Sequence, residues 1–402
     1  MLSVLRTRGV PYLLSTSLVG RLPASMSALA LVRLVVDQQG TYVLASVLTA
    51  AYVIAGTVGQ PVLARIIDRT GRRRPVLLAA AVVSTVAFAA TALTAVALPV
   101  VGVAAVVVAG FATPPIEPTL RSLWSGLVGD GPRLTSAYAL DAAVQEVGYI
   151  IGPLITALGI LLLGAQGNVL LMAAIGIVGT VLFTLHPRLA PSTAHLERQH
   201  SGTPLASPRF LRLLVSVIGT AAPVGALTIT ATAFASAVGV PELSAWAIAL
   251  NATGALTGAL LFARFPPRAA AATLIRPLGG LLSAVYLLTA LTALPVGVWL
   301  VGAFLTGVLL PPYLTQVFTQ TPRTVRAAHQ VEANAWVISS FAVGIAIGTL
   351  LAGALVENLA AGILVAVLST SALGIAAALQ AVPRALEHRG DGDEHEGDDG
   401  GA

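Results

Sequence analysis

Apolar residues fill most of the chain in long runs that short polar stretches separate. The runs extend over about 18–25 residues, the length that an α-helix needs to cross the hydrocarbon core of a bilayer. They lack the ten-residue alternation of polar and apolar positions that is typical of membrane β-strands. The pattern predicts an all-α membrane protein with twelve transmembrane helices, near residues 11–36, 43–63, 75–96, 98–118, 136–163, 168–186, 210–237, 243–263, 274–293, 297–318, 331–356 and 359–382.

The composition indicates the same environment. Of the 402 residues, 56% are hydrophobic and only 10% are charged, whereas a soluble protein of this size carries about 25% charged residues. Inside lipid every backbone polar group must be hydrogen-bonded within the protein, which helices achieve. The chain has no cysteine, and its six histidines show no metal-binding spacing. We therefore expect neither a metal site nor any other cofactor.

The basic residues are distributed asymmetrically between the loops. All 22 are arginine, and apart from Arg21, Arg33 and Arg276, which lie within or at the edges of spans, they fall in loops that share one side of the membrane if the N-terminus is cytoplasmic. The opposite loops, near 37–42, 164–167, 238–242 and 357–358, contain none. By the positive-inside rule both termini are cytoplasmic. Arginine usage without lysine, with abundant alanine and glycine, suggests a high-GC bacterial genome. We therefore expect a multi-pass protein of the bacterial inner (plasma) membrane. The position of the arginines in the loops on one side of the membrane accounts for the net positive charge, so we expect no nucleic-acid partner.

Prolines recur at a fixed offset along the chain. Pro114 in the fourth span corresponds to Pro311 in the tenth (311 − 114 = 197), and Pro11 corresponds to Pro208 (208 − 11 = 197). Such internal symmetry is common in transporters. The predicted organisation is an N-terminal six-helix bundle (1–186), a Pro-, Ser-, Thr- and His-rich cytoplasmic linker (187–208), a C-terminal six-helix bundle (209–384) and a disordered acidic tail (385–402).

The loop between spans two and three reads Ala64-Arg65-Ile66-Ile67-Asp68-Arg69-Thr70-Gly71-Arg72-Arg73. It resembles the loop signature G-x-x-x-D-R-x-G-R-R of the major facilitator superfamily and departs from it only at Ala64. The resemblance implies the major facilitator fold and a gating role for Asp68, Arg69, Gly71, Arg72 and Arg73. We expect a positive φ at Gly71, and we expect Asp68 to accept helix N–H groups and pair with arginine, so that it latches the two halves. The alternative is a basic membrane anchor without a gating role.

A second motif lies in span five. Gly148 and Gly152 form a small-xxx-small pair that allows a neighbouring helix to approach closely. Gly152-Pro153 resembles part of the G-x-x-x-G-P-x-x-G-G signature of the family's antiporters, although Thr156-Ala157 replaces the final glycines. This resemblance implies efflux. Ordinary glycine packing is the alternative.

Charged residues within spans are costly and are therefore candidates for function. Arg21 and Glu146 each lie about ten residues into a span that starts inside, at a depth of about 15 Å. We hypothesise that they pair. The pair is either a static link between two helices or a proton-coupling site with Glu146 as the carrier.

Three more charged residues lie nearer the cytoplasm: Glu117 and Arg121, four apart at the end of span four, and Asp141 early in span five. They form either a solvated ion pair at the mouth, or a proton entry site or part of the inner gate with Asp68. Glu332 and Asn334 open span eleven, where we expect Glu332 to meet the loop motif across the halves.

The remaining cavity candidates are few: Asn251, Tyr313, Gln316, Asn334 and Trp336. Aromatic residues near span ends also serve as interfacial belts. A cavity with so few polar groups favours a hydrophobic or amphiphilic substrate.

Together these features predict proton-coupled efflux of a small hydrophobic or amphiphilic molecule by alternating access. The expected partners are that molecule, protons and the lipid bilayer, and we expect a monomer. Uptake or facilitated transport of a small metabolite is the alternative, followed by a lipid scramblase or a membrane sensor. The sequence contains no nucleophile–base set and no ATP-binding loop, so we predict that the protein is not an enzyme.

Overall fold

The structure is a computed structural model that describes residues 1–189, 202–240, 242–290 and 295–355. The predicted twelfth span, the acidic tail and residues 190–201 of the linker lie outside the described residues. Within the described ranges the regular elements are α- and 3₁₀-helices. The α-helices are α1 (Leu2–Leu5), α2 (Val10–Asp37), α3 (Tyr42–Thr70), α4 (Arg73–Thr94), α5 (Pro99–Phe111), α6 (Ile116–Val128), α7 (Pro132–Thr184), α8 (Pro208–Val238), α9 (Glu242–Arg264), α10 (Ala271–Ala290), α11 (Val296–Thr324) and α12 (Gln330–Leu355).

The helices confirm an all-α membrane protein. In the described part of the chain, nine helical segments are long and apolar enough to cross a bilayer, and Ala271–Tyr286 is a shorter apolar one. One of the nine is α7, whose 53 residues are about twice what a single span requires. Its backbone breaks at Gly164 (φ 72°, ψ 171°), in the predicted outer loop, where glycine adopts a positive φ without a steric penalty. The two arms are the predicted fifth and sixth spans, so eleven of the predicted spans correspond to described helices.

The fourth span differs from its prediction. Helix α5 ends at Phe111, and the segment through Pro114 and Pro115 interrupts the helix before α6 continues to Val128. Proline has no N–H to donate and its ring hinders the preceding turn, which explains the interruption. The corresponding Pro311 and Pro312 remain inside α11. Glu117 and Arg121 therefore lie in the first half of a second helix, well before the end of the span.

A glycine contact recurs at the repeat offset. Gly110 of α5 and Gly307 of α11 are 197 residues apart (307 − 110 = 197), and a Cβ at either would clash with a carbonyl oxygen of a neighbouring helix. The carbonyl belongs to Tyr52 of α3 in the first case and to Asn251 of α9 in the second. Both helix pairs pack backbone to backbone, as small residues allow in membranes. The repeat is therefore visible in the packing as well as in the prolines.

The N-terminal half (described residues 1–189) and the C-terminal half (202–355) pack together near the loop between α3 and α4. One hydrophobic cluster spans both halves there and includes Tyr138 and Phe318. Farther along the same interface, the Ser339 hydroxyl of α12 donates a hydrogen bond to the Thr57 carbonyl of α3 (2.7 Å). These contacts close the halves against each other from the loop to about the middle of α3.

Candidate functional site

Four charged side chains from three helices form a closed ring in the N-terminal half. Arg21 of α2 contacts Asp141 of α7 (Nη1–Oδ1 2.8 Å) and Glu117 of α6 (Nη2–Oε2 3.2 Å). Arg121 of α6 contacts the other oxygens of the same carboxylates, Glu117 Oε1 through Nη2 and Asp141 Oδ2 through Nε, both at 2.8 Å. Each charge touches two charges of opposite sign, and the ring is neutral overall. We call these residues the four-charge cluster.

The cluster is largely removed from solvent. The Asp141 side chain is 0% exposed, Arg121 6%, Arg21 10% and Glu117 18%. Charges buried to this degree carry a desolvation cost of several kcal/mol per ion, which only well-formed pairs and hydrogen bonds offset. Two carboxylates that each contact two guanidinium groups meet that requirement. Glu117 is the most exposed member and faces the cavity described below.

The cluster corrects two interpretations of the sequence. Arg21 pairs with Asp141 and Glu117, and Glu146 forms no ion pair with it in the described structure. At 100° per residue, Asp141 lies about 20° from Gly148 around α7, whereas Glu146 lies about 160° from it. The glycine face of α7 packs on α2, so Asp141 faces Arg21 and Glu146 does not. The group of Glu117, Arg121 and Asp141 is also a buried network rather than a solvated pair at the mouth.

The glycine motif of span five explains how α7 approaches α2. A Cβ at Gly152 would lie 2.8 Å from Ser25 Cβ, and a Cβ at Gly148 would lie 3.1 Å from Leu18 Cδ1. Pro153 follows within α7 and is exposed on the other side. The motif therefore packs two helices of the same half, and this packing brings the Asp141 carboxylate within reach of Arg21.

A cavity of about 150 Å³ lies beside the cluster. Its polar lining includes Arg21, Glu117, Gln60, Gln145, Tyr52, Tyr149 and Thr113, and its apolar lining includes Pro23, Ala81, Phe88, Ala173 and Gly176. Ile338 is the one lining residue that the described part of the C-terminal half contributes. The Gln145 Oε1 atom is buried and accepts no hydrogen bond from the described residues. The cavity thus combines charged and amide groups with an apolar wall.

The residues that the sequence suggested as cavity lining lie elsewhere. The Asn251 amide donates to the Ala303 carbonyl (3.1 Å) and to Thr306 Oγ1 (2.9 Å), which ties α9 to α11. Tyr313 and Gln316 are buried in the packed interior, 0% and 1% exposed. On α12, the Asn334 amide donates to the Gln330 carbonyl (2.8 Å) and Trp336 Nε1 donates to Glu332 Oε1 (3.4 Å). None of the five lines the cavity.

The sequence interpretation missed most of the polar lining. Gln60 and Gln145 carried a usable signal, since each is an amide within an apolar span. Tyr52 and Tyr149 carried none, because a tyrosine in a span is as consistent with packing as with a cavity. Gln145 lies about 60° from Gly148 around α7, between the face that packs on α2 and the face of Glu146. That intermediate angle places it at the cavity.

The loop motif forms a contact between the halves. Asp68, near the end of α3, accepts the backbone N–H groups of Glu332 (2.7 Å to Oδ2) and Val331 (3.4 Å to Oδ1) at the start of α12. A carboxylate at a helix N-terminus satisfies free N–H groups and interacts favourably with the helix dipole. The predicted meeting of Glu332 with the motif thus occurs through its backbone. Gly71 has φ 65°, as its predicted role requires.

The other members of the motif take different positions. Arg69 and Arg72 are exposed, and Arg73 lies near enough to Asp68 for their charges to interact without a direct ion pair between them. The Glu332 side chain is buried and accepts a hydrogen bond from Thr203 Oγ1 (3.1 Å), in the last part of the predicted linker. Among the motif's charged side chains, Asp68 is the one with hydrogen bonds to the opposite half in the described structure.

Solved structures of other proteins share the fold of this chain. Among solved structures, a bacterial homologue of the iron transporter ferroportin in an outward-facing state aligns with a TM-score of 0.77 at 16% identity, over 93% of this chain and 98% of that one. The E. coli fucose:proton symporter gives 0.70 at 12% identity, over 93% and 98%. The human organic anion transporter MFSD10 gives 0.68 at 15% identity, over 93% and 97%. A search of curated protein sequences found no significant match.

These structures share the fold of the chain. At identities of 12–16%, their substrates do not indicate the substrate of this chain. The sequence model that matches this chain covers residues 13–331, from the start of α2 to the start of α12, and is described as the Major Facilitator Superfamily. The match includes the loop motif, the span-five glycines and the whole four-charge cluster. This multi-pass membrane protein therefore belongs to the Major Facilitator Superfamily, a family of transporters.

Proposed function

We propose that the protein is a proton-coupled secondary transporter that exports a small polar molecule by alternating access. The observation that carries the proposal is the cavity of about 150 Å³ whose wall includes Arg21 and Glu117 of the four-charge cluster. A transporter needs a central site where solute and coupling ion act on the same groups, and membrane-embedded charges mark such sites.

The lining changes the substrate class from the one that the sequence suggested. Arg21, Glu117, Gln60 and Gln145 offer both donors and acceptors, and the opposite wall is apolar. A solute that fits this lining forms several hydrogen bonds on one side and has an apolar face on the other. We therefore favour a small polar metabolite over a hydrophobic or amphiphilic compound.

Proton coupling is proposed to act through a carboxylate of the cluster. Glu117 is the candidate that faces the cavity, and Asp141 is its fully buried partner in the ring. Adding a proton to Glu117 removes one negative charge, so the ring gains a net positive charge and both arginines lose a partner. Glu146, on a different face of α7, is the alternative carrier.

The direction of transport is inferred from the span-five motif. Gly152-Pro153 resembles part of an antiporter signature, which supports efflux. The polar lining supports the second candidate, proton-coupled uptake, because clustered amides and arginine suit a hydrophilic metabolite. We place the protein in a bacterial inner membrane, as a monomer with both termini cytoplasmic.

The test uses everted membrane vesicles in which respiration acidifies the lumen and a pH-sensitive dye reports the gradient. Sugars, amino acids, organic acids and hydrophobic cations are added in turn to vesicles with wild-type protein, Glu117→Gln or Glu146→Gln. Asp37→Asn, which alters an exposed ion pair with Arg33, is the matched control.

We expect a polar solute to dissipate the gradient with the wild type and Asp37→Asn, and to fail with Glu117→Gln. If the solute fails to dissipate the gradient only with Glu146→Gln, Glu146 is the proton carrier. A gradient that no polar solute changes, with uptake seen in right-side-out vesicles, would favour the second candidate. Response only to hydrophobic cations would overturn the proposed substrate class.

A further inference from the structure

Phe318 of α11 brings the C-terminal half into contact with the four-charge cluster. The centre of its ring lies 3.6 Å from Arg121 Cζ, with the guanidinium over the ring face. Both side chains are 6% exposed. The contact crosses from α6 of one half to α11 of the other, so it exists only while the halves are closed at this end.

The bonding of Arg121 leaves its face free for such a contact. A guanidinium donates hydrogen bonds from its edge and is weakly hydrated on its faces, which stack well on aromatic rings. In Arg121 the edge is used by Asp141 through Nε and by Glu117 through Nη2. The ring of Phe318 covers one face of the same group. Removing Phe318 therefore exposes a cation whose edge remains bound to two carboxylates.

A second aromatic contact fixes the position of Phe318. The ring of Tyr138, on α7, stacks on Phe318 with centroids 6.3 Å apart and an interplanar angle of 24°. The Tyr138 hydroxyl donates to the backbone carbonyl of Arg121 (3.3 Å). Phe318 thus contacts two helices of the N-terminal half, and those helices carry three of the four charges of the cluster.

We propose that Phe318 is a positioning residue for transport, which couples the charge state of the four-charge cluster to closure of the two halves. While the halves are closed, the aromatic ring of Phe318 covers the Arg121 guanidinium and holds it against Glu117 and Asp141. A change of charge in the four-charge cluster weakens the ion pairs that hold Arg121. The contact between Arg121 and Phe318 weakens as a result. Opening at this end removes the aromatic cover and admits water to the cluster.

This role differs from that of Asp68, which joins the halves through the start of α12 and contacts no member of the cluster. The Asp68 contact depends only on whether the two halves are closed. The Phe318 contact also depends on where Arg121 is held, and Arg121 is held by the carboxylates that the proposed function assigns to proton coupling. The inference rests on that function for its link to transport.

The test measures closure directly. The chain has no cysteine, so Asp130→Cys and Arg326→Cys introduce unique spin-label sites on exposed loops of the two halves. Distances between the labels are measured by pulsed electron resonance in proteoliposomes for Phe318→Leu, Phe318→Met and Phe318→Tyr. Phe265→Leu is the matched control, because Phe265 stacks with Arg264 (4.9 Å) within one half.

We expect Phe318→Leu and Phe318→Met to shift the population toward longer distances by roughly 5- to 30-fold, the effect of losing a desolvated cation–π contact. Phe318→Tyr retains the ring and should keep the wild-type distribution, as should Phe265→Leu. Methionine fills a volume similar to that of phenylalanine, so it separates loss of the ring from loss of packing if the leucine variant folds poorly.

An unchanged distance distribution in a folded Phe318→Met would overturn the proposal. So would equal shifts in the Met and Tyr variants, because the ring would then not be the determinant. The distances require no substrate, so failure of the vesicle assay would count against the proposed function without deciding this result.

Discussion

Arg21 and Asp141 are 120 residues apart in the chain, yet their side chains lie 2.8 Å apart in the interior of the N-terminal half. Asp141 also accepts a hydrogen bond from Arg121 Nε at 2.8 Å. One carboxylate therefore links α2, α6 and α7. Because the group is isolated from solvent, removing one partner costs more than breaking a surface ion pair of the same geometry.

The first prediction concerns this carboxylate. Replacing Asp141 with Asn keeps the size of the side chain but leaves two buried guanidinium groups with one carboxylate. We expect a loss of about 3–5 kcal/mol, the range for breaking a buried pair, seen as a lower thermal unfolding temperature in detergent. Asp37→Asn breaks the half-exposed pair with Arg33 and should cost less than about 1 kcal/mol. Equal losses in the two variants would contradict the structural role of the cluster.

The second prediction concerns the contact between the halves at Asp68. Asp68→Ala removes both acceptors from the start of α12 and should cost about 1–2 kcal/mol of closure, as for loss of a helix cap. Asp68→Asn keeps one oxygen acceptor and should fall between alanine and the wild type. The spin-label distance between the loops at 130 and 326 measures the shift.

Thr41→Ala provides the control for Asp68. Thr41 Oγ1 caps α3 by accepting the Leu44 N–H (3.2 Å), so its loss removes a helix cap without removing a contact between the halves. We expect lower stability but an unchanged distance distribution. A distance shift of the same size in Thr41→Ala and Asp68→Ala would mean that the effect is general destabilisation.

The third prediction concerns the contact between α7 and α2. Gly152→Ala would place a Cβ 2.8 Å from Ser25 Cβ and 3.1 Å from the Ser25 backbone carbon, so the helices must separate. We expect a loss of about 1–3 kcal/mol, typical of overpacking. Gly148→Ala meets only the flexible end of Leu18 and should cost less. Gly126→Ala, with nothing within 4 Å, should be neutral or stabilising, since alanine favours helix.

Thermal unfolding in detergent ranks the three glycine variants. The expected order of stability is Gly126→Ala first, then Gly148→Ala, then Gly152→Ala. An inverted order of the last two would show that α7 does not approach α2 along this face. It would also remove the explanation for Asp141, rather than Glu146, as the partner of Arg21.

The fourth prediction concerns pH. Burial, followed by the charges of Arg188 and Arg74, lowers the pKa of His186, and its Nδ1 accepts the Arg188 N–H (3.2 Å). A histidine whose pKa is lowered in the folded state stabilises the fold above its ordinary value of about 6.5, and this contribution declines as pH falls below that value. Wild type should therefore lose more thermal stability than His186→Gln between pH 7.5 and pH 5, by a small margin because the ring is only partly buried. Equal losses of thermal stability in wild type and His186→Gln would contradict the lowered pKa of His186.

The sequence by itself determined the class of the protein. The length of the apolar runs, their separation by short polar loops and the arginine asymmetry all act locally, because the bilayer imposes one span length and one class of structure on the chain. Eleven predicted spans could be matched to helices for that reason. The break at Gly164 lies in the outer loop that the sequence predicts near 164–167, because the apolar run on each side is long enough for one span. The loop motif was recognisable because its residues are contiguous.

Only the tertiary structure decided which charges meet. Arg21 and Glu146 were matched in depth, and depth can be read from residue number, but the partner of Arg21 depends on the face that α7 turns toward α2. That face is set by Gly148 and Gly152, whose small size permits close approach there and places Asp141 in reach. The cavity lining and Phe318 are likewise products of helix rotation and of the meeting of two halves. Hydropathy measures how well a residue suits lipid, and in a membrane helix this quantity carries little information about rotation, so these relationships appear only when the helices are packed.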